Sequence, residues 1–438
     1  MKRYESYKNS GVGWIGEIPS HWSCVQFRRL FQIKKEIANT LGFDVLSVTQ
    51  KGLKVKNIES NEGQIANDYS KYQIVNIGDF VMNSMDLLTG YVDCSEQEGV
   101  TSPDYKSFRP RTSVSLNRQY YLFIFQLCYK GRIFYNLGRG VSNKGRWRLP
   151  SENLNRFMMP MPPIQEQNRI VDYLKDKTLK IDQYISERER ERELLASLKQ
   201  SVIANVVTKG VNPNVRMKDS GIPWIGMIPE HWKIKRLRHF IKFVSIRGNG
   251  EKTLLSVTRE QGVIERNVKS KEENHNFIPD DLSNYKLVQK GQFVINKMKS
   301  WQGSYGVSAF EGIVSPAYYV SELSFPCKRF FSLAIRSKAY IPFFAQYSKG
   351  IRVDQWDLSP IGLKSIPFIV PPIEEQQAIV DYIEAKLSKI DSCIADLQAE
   401  IDYLKEFKQR LISDVVTGQI CVSNHYKKVS TDKRKTQL

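Results

Sequence analysis

Apolar positions recur at intervals of seven residues in two long stretches of the chain. In the first stretch the repeat is interrupted once, at Arg188, and Ile170 and Leu198 form a second apolar row. In the second stretch the repeat is unbroken. Heptad spacing of this kind predicts two long helices, 164–207 and 373–416, each packing through an apolar seam. The predicted seam residues are Leu174, Ile181, Leu195, Val202, Ile383, Ile390, Leu397, Leu404 and Leu411.

Shorter apolar runs precede the first long stretch. Residues 73–77 and 120–125 are examples, and Gly, Asn, Ser and Pro separate such runs throughout residues 1–160. Short runs bounded by turn residues predict strands. A mixed α/β domain is therefore expected ahead of the first long helix.

The chain also repeats its own sequence. The element Trp-Ile-Gly-x-Ile-Pro-x-His-Trp occupies 14–22 and returns 210 residues later at 224–232. A second element, Pro-Pro-Ile-x-Glu-Gln, occupies 162–167 and 371–376. A repeat of this length has the size of a domain. The predicted fold class is therefore α/β, with two mixed α/β domains in tandem, each followed by a long helix, and the two helices pairing as an antiparallel coiled coil.

Antiparallel pairing has a consequence for the arrangement of the chain, because it returns the C-terminal end to the first domain. With some 40 residues in each helix, the pair would hold the two domains on the order of 60 Å apart. A dumbbell is the expected arrangement.

Composition narrows the functional class. The 438 residues include 65 Lys and Arg against 46 Asp and Glu, a formal charge of +19 that favours nucleic acid or an anionic membrane surface as partner. No apolar run is long enough to span a bilayer and no signal stretch opens the chain, so a cytoplasmic location is expected.

Signs of catalysis and of metal binding are weak. The six cysteines are scattered, and His21 and His231 both lie in the repeated Pro-x-His-Trp element, which favours a structural role for them. Residues 248–252 lack the spacing of a phosphate-binding loop, and neither Pro-Pro step has the surroundings of a base-methylating pocket. We predict no catalytic residue, no metal site and no cofactor bound by this chain.

Basic residues in glycine-containing loops are the alternative signal. Residues 138–148 combine four cations with Trp147, and residues 348–356 align with them. Such side chains bind phosphates or read bases, and glycines allow a close approach of the backbone. The predicted DNA-binding residues are Arg139, Lys144, Arg146, Arg148, Lys297, Lys349 and Arg352. Trp147 and Trp356 align and are predicted to anchor the core.

The doubled elements at 14–22 and 224–232, and at 162–167 and 371–376, resemble the specificity subunit of type I restriction-modification enzymes. The resemblance implies a non-catalytic subunit with two target-recognition domains, each binding one half of a split DNA target. It also implies two methyltransferase subunits that use S-adenosylmethionine, and restriction subunits that use ATP and Mg where they are encoded. The long helices would set the spacing between half-sites and help to dock the methyltransferase subunits.

The expected organisation follows from the repeat. Target-recognition domain 1 is predicted at 1–160, a central helical spacer at 161–212, domain 2 at 213–369, a second spacer at 370–423 and a disordered basic tail at 424–438. Two alternatives remain open from the sequence. One is a self-sufficient DNA methyltransferase or nuclease with duplicated binding domains, and the other is a helical scaffold that binds RNA or protein.

Overall fold

The chain forms two compact units. A computed structural model describes residues 2–57, 68–140, 147–266, 278–279, 281–350 and 356–422. The first unit comprises residues 1–188 and 400–438, and the second comprises residues 189–399. Each unit therefore holds one globular module, the beginning of the long helix that follows this module and the end of the other long helix. The predicted domain boundaries stay predictions, and the predicted tail at 424–438 lies outside the described residues.

In its described residues, module one consists of short strands, three short α-helices and a 3₁₀ turn at Tyr135–Leu137 before the first long helix begins. Its strands are β1 Tyr7–Asn9, β2 Glu17–Pro19, β3 Ser23–Gln26, β4 Phe31–Lys34, β5 Leu46–Thr49, β6 Gly52–Val55, β7 Gln73–Val75, β8 Phe80–Met82, β9 Val92–Cys94, β10 Gly99–Thr101, β11 Lys106–Pro110 and β12 Met158–Met161. Its helices are α1 Phe27–Leu30, α2 Arg118–Lys130 and α3 Ser151–Arg156, and α4 Ile164–Lys209 follows.

Module two is likewise built from short strands and short helices, followed by a long helix. Its strands are β13 Met217–Asp219, β14 Met227–Pro229, β15 Lys233–Arg236, β16 Ile241–Val244, β17 Leu255–Thr258, β18 Gly262–Glu265, β19 Lys286–Val288, β20 Phe293–Asn296, β21 Tyr305–Val307, β22 Gly312–Val314, β23 Tyr318–Leu323, β24 Ser348–Lys349, β25 Asp357–Leu358 and β26 Pro367–Val370. Its helices are α5 Lys328–Ile335, α6 Ile341–Tyr347 and α7 Pro360–Ser365, and α8 Ile373–Val416 follows.

The sheets show that the duplication extends to topology. The largest sheet of module one has the antiparallel order β4-β11-β8-β9, and that of module two has the order β16-β23-β20-β21. The pair β3 and β12 corresponds in the same way to β15 and β26. Equivalent strands thus have equivalent partners, and the register lets residues of the two modules be matched one by one.

One predicted strand is wrong. Residues 120–125 lie inside helix α2, not in a sheet. Asn117 begins this helix, because its side-chain oxygen accepts hydrogen bonds from the backbone N–H groups of Gln119 and Tyr120. Five of the six side chains in the run are buried, so apolar residues occupy nearly every side of the helix. A short apolar run of this kind has the same pattern in a buried strand and in a buried helix.

The two repeated sequence elements bind each other in both modules. In module one Glu166, in the first turn of α4, accepts hydrogen bonds through Oε2 from Trp22 Nε1 at 2.7 Å and lies 2.9 Å from His21 Nε2. In module two Glu375 accepts from Trp232 Nε1 at 2.9 Å. Both tryptophans are buried. The repeated motifs therefore attach each module to its own long helix.

His231 and the repeated glutamines complete this junction. His231 Nε2 lies 2.6 Å from Glu375 Oε1. Gln167 and Gln376 are buried, and each donates through Nε2 to the backbone oxygen of the first proline of its Pro-Pro step, at 2.9 and 2.8 Å. The contacts of both repeated histidines agree with the structural role expected from the sequence.

The long helices are paired antiparallel within each unit. In the first unit Asp182 contacts Lys408 at 2.6 Å, and Arg188, which follows Asp182, contacts Glu400, which precedes Lys408. In the second unit Lys199 Nζ lies 2.6 Å from Asp391 Oδ1. Arg192, which precedes Lys199, bonds to Gln398, which follows Asp391. The predicted fold class is thereby confirmed, including the antiparallel helices.

The predicted seam residues all lie away from the open surface. Five of the nine are buried, namely Leu174, Ile181, Ile383, Leu397 and Leu411, and the other four are partly buried. The heptad pattern missed other buried positions, among them Ile185, Ile203 and Ile401, and Leu198 of the second row is 49% exposed. Polar contacts fill the gap at Arg188, where the apolar repeat is interrupted.

Candidate nucleic-acid interface

The basic segment of module one is held by its two ends. Arg139 N–H donates to the Arg148 backbone oxygen at 2.8 Å, and Arg148 N–H donates to the Arg139 oxygen at 3.1 Å. Both side chains are exposed. Two of the four predicted cations are thus neighbours at the surface, whereas Lys144 and Arg146 lie outside the described residues.

Trp147 explains the glycines of this segment. Its ring stacks on Tyr135 with centroids 5.1 Å apart, and its Nε1 donates to the Tyr135 backbone oxygen at 2.7 Å. A Cβ atom on Gly138 or Gly140 would lie 2.2 or 2.5 Å from the tryptophan ring. These glycines are therefore required for packing against Trp147, a reason that the sequence analysis did not find. Trp147 is partly buried and packs against the core of module one, whereas Trp356 is partly buried and contacts the ring of Trp301.

The corresponding segment of module two has a different charge. Lys349 pairs with Asp357 in the ladder of β24 and β25, which matches the pairing of Arg139 with Arg148. Lys349 is exposed. Lys297 is partly buried, and its Nζ lies 2.9 Å from Asp357 Oδ2. The hydrogen bond to Asp357 raises the pKa of Lys297. Arg352 lies outside the described residues.

Further cations close to these segments were missed by the sequence analysis. Burial, followed by the positive charge of Arg148, lowers the pKa of Lys106 in β11. In module two burial, followed by the charges of Arg247 and Lys297, lowers the pKa of Lys286. Lys106 and Lys286 are isolated lysines in strands, so no local pattern in the sequence distinguishes them from other lysines.

Two other kinds of site have no support among the described residues. No group of three or more His, Cys, Asp and Glu side chains in this part of the chain is arranged to hold a metal ion. Within the same residues, no helix is long and apolar enough to cross a membrane. The exposed cations near Arg139 and Lys349 remain the strongest candidates for a functional surface.

Comparison with known proteins gives a family match for part of the chain. Residues 25–190 match the family of the type I restriction modification DNA specificity domain. Over 428 residues the chain is 22% identical to the putative type I restriction enzyme MjaX specificity subunit of Methanocaldococcus jannaschii, a match that covers 93% of this chain and 96% of the relative. Residues 25–190 thus match a type I DNA specificity domain, and nearly the whole chain is similar to a type I specificity subunit.

Two more similarities accompany this match. The type I restriction enzyme MjaVIII specificity subunit of the same organism is 25% identical over 287 residues, which are 61% of this chain and 63% of the relative. A solved chain from work on complex assembly and conformational transition of the type I R-M system has a TM-score of 0.61 at 14% identity, covering 92% of this chain and 99% of that one. At this identity the structural likeness shows a shared fold.

Proposed function

We propose that this specificity subunit reads DNA with both modules, each binding one half of a bipartite target. The observation that carries the proposal is a surface cation at the same backbone pairing in each module, Arg139 in one and Lys349 in the other. The family of residues 25–190 and the charge of +19 support DNA as the ligand. Cations that both modules share suit the phosphate backbone, which is the same in every sequence.

The chemistry is assigned to partner subunits. In this proposal the chain itself is non-catalytic, two methyltransferase subunits bring S-adenosylmethionine, and restriction subunits, where encoded, bring ATP and Mg. The purified chain should transfer no methyl group from S-adenosylmethionine to duplex DNA, and addition of the methyltransferase subunit should start the transfer. Methylation by the purified chain alone would favour the self-sufficient enzyme.

The decisive experiment is methylome sequencing of the host with the gene, without it, and with the gene restored. We expect deletion to remove adenine methylation from one split motif, two short defined halves around a fixed gap, and restoration to return it. If no motif changes while the methyltransferase subunit is expressed and active, the DNA-reading role is wrong. The helical scaffold would then be the function to test.

We further propose that the long helices set the gap between the half-sites. The test removes one heptad from each helix at positions that face each other, residues 188–194 of α4 and residues 396–402 of α8. Seven helical residues span on the order of 10 Å, which corresponds to about three base pairs of duplex. We expect the unspecified gap to shorten by about three base pairs while both halves keep their bases. An unchanged gap would contradict this role.

Docking of the methyltransferase subunits is assigned to the outer faces of these helices. None of the nine predicted seam residues is exposed, so their apolar surface is used within the chain itself. Leu194 and Leu198, one turn apart on α4, are 63% and 49% exposed. Changing both to Ser should weaken co-purification of the methyltransferase subunit without loss of helix content. The matched control is Glu193→Ser, which changes an exposed polar residue of the same helix. Equal binding by both variants would exclude this face.

A further inference from the structure

The two modules differ at three matched positions beside their shared cation. In the central sheets Lys106 lies opposite Met82, and Tyr319 lies opposite Ile295, at the same step of the ladder. The residues that follow β8 and β20 match as well. Leu149 N–H donates to the Ser84 oxygen at 2.9 Å, and Leu358 N–H donates to the Lys297 oxygen at 3.1 Å. The matched pairs are therefore Ser84 with Lys297, Lys106 with Tyr319, and Arg148 with Asp357.

In module one this group carries two cations and no carboxylate. Arg148 is exposed, and its Nε lies 3.1 Å from the sulfur of Met85. Lys106 Nζ donates to Ser151 Oγ at 2.9 Å. Among the residues that the structure describes, no Asp or Glu forms an ion pair with either cation. The guanidinium of Arg148 is therefore available to bind acceptor atoms of a ligand.

In module two the same positions present a carboxylate. Asp357 replaces Arg148, its side chain is 56% exposed, and Lys297 neutralises it at 2.9 Å. Tyr319 replaces Lys106 and donates its hydroxyl to the Leu358 backbone oxygen at 3.1 Å. In the described part of the chain no donor contacts the second carboxylate oxygen, Oδ1, which can accept from a donor outside the chain. Module two thus offers a hydrogen-bond acceptor where module one offers donors.

The two edges of a G·C pair in the major groove require these opposite groups. Guanine presents two acceptors, O6 and N7, which a guanidinium matches with two parallel N–H donors. Cytosine presents an N4 amino donor, which a carboxylate accepts. The shared cations Arg139 and Lys349 carry no such difference between the modules.

We propose that the position occupied by Arg148 in module one and by Asp357 in module two determines one base of each half-site, with Arg148 reading guanine and Asp357 reading cytosine. The inference rests on the proposed function, because it assigns bases within the bipartite target. Lys297 holds Asp357 in place as a positioning residue, whereas Arg139 and Lys349 contact phosphates.

The test exchanges the matched residues between modules in the intact host complex. The variant S84K/R148D carries the module-two pair in module one, and the reciprocal variant is K297S/D357R. Methylome sequencing should show one changed base in one half-site, with the other half and the gap unchanged. Preference for the original base should fall on the order of 10- to 100-fold. The matched control is Arg139→Gln, which should reduce methylation at all sites without changing any base of the motif.

The possible results distinguish failure of the proposed function from failure of the base assignment. Absence of any motif that depends on the wild-type gene would overturn the proposed function itself. A wild-type motif that survives S84K/R148D unaltered would overturn the inference alone. If that variant gives no complex, the single variant Arg148→Lys is assembled and its binding to duplexes differing at one base is measured. Selective loss at one guanine supports the inference, whereas equal weakening on every duplex with a reduced salt dependence makes Arg148 a phosphate contact and overturns it.

Discussion

The two modules differ beside their central sheets at one buried pair. In module one Lys34 and Asp79 form an ion pair of 2.7 Å, with side chains only 6% and 4% exposed. The matched positions of module two are Val244, at the same end of its strand, and Gln292, which follows the equivalent glycine. One module therefore buries a charge pair where the other has an apolar and an uncharged polar side chain.

The backbone around this pair is nevertheless the same. Asp79 Oδ2 accepts from Asn76 N–H at 2.9 Å, and Gln292 Oε1 accepts from Gln289 N–H at 2.8 Å. The common requirement is an acceptor for the turn, and the ion pair is an addition to it. The shared backbone therefore tolerates replacement of a buried charge pair when both partners change together, as expected from the desolvation cost of such pairs.

The largest expected effect comes from breaking that pair on one side. Asp79→Gln alone should lower the free energy of unfolding by about 3 kcal/mol, because Lys34 stays buried without its closest carboxylate. The double variant K34V/D79Q, which copies module two, should return to within about 1 kcal/mol of the wild type. Urea denaturation followed by tryptophan fluorescence measures both. Lys35→Val is the control at an exposed neighbour. A D79Q variant as stable as this control would show that losing one partner of the buried pair carries no cost.

The second-largest loss of unfolding free energy is expected from replacing the glycines that follow the long helices. Gly418 and Gly210 follow α8 and α4 with φ of +81° and +76°. A Cβ on Gly418 would lie 2.4 Å from Pro19 Cδ, whereas a Cβ on Gly210 would lie 3.3 Å from the Trp232 ring. Gly210→Ala should cost about 1 kcal/mol from the left-handed backbone alone. Gly418→Ala adds a steric overlap and should cost about 3 kcal/mol.

Equal losses of unfolding free energy in these two alanine variants would show that the contact between Gly418 and Pro19 adapts without strain. The same urea titrations give this comparison. Gly13→Ala serves as the control, because nothing lies within 4 Å of the Cβ it would add.

The module-to-helix junctions should differ by a smaller amount. The Glu166 side chain is 14% exposed and that of Glu375 is 38% exposed, so the bond to Trp22 is better shielded than the bond to Trp232. Replacing the glutamate by Ala leaves a buried indole N–H without its acceptor. We expect a loss of about 2 kcal/mol for Glu166→Ala and about 1 kcal/mol for Glu375→Ala in urea denaturation. The opposite order would mean that shielding from water does not set the strength of this bond.

The smallest effect is expected from moving the chain ends. Cys421 N–H donates to the Lys2 backbone oxygen at 2.9 Å, so the two ends of the described chain are neighbours in the first unit. Joining the ends with a short linker and opening the chain near Asn212 should leave both half-sites of the methylated motif unchanged. A permuted subunit that folds and yet loses one half-site would show that the connection after α4 is needed for recognition.

Much of the fold could be predicted because it is encoded in patterns along the chain. The repeated motifs located both modules, and they recur because each module must hold a tryptophan against the glutamate of its own helix. The heptad repeat located both long helices and nine seam residues. Prediction was wrong for residues 120–125, where burial on nearly every side removed the alternation that distinguishes a half-buried strand.

The sequence by itself determined that the chain is a duplication of one module and one helix, since both the repeat and the heptad can be recognised without knowing any distant contact. Only the tertiary structure decided which charges meet. Lys297 and Asp357 are 60 residues apart and meet at 2.9 Å, and Arg148, which is also remote from Lys106 in the chain, lowers the pKa of that lysine. Sheet register creates these neighbours, and register depends on pairing between strands that are remote in the chain.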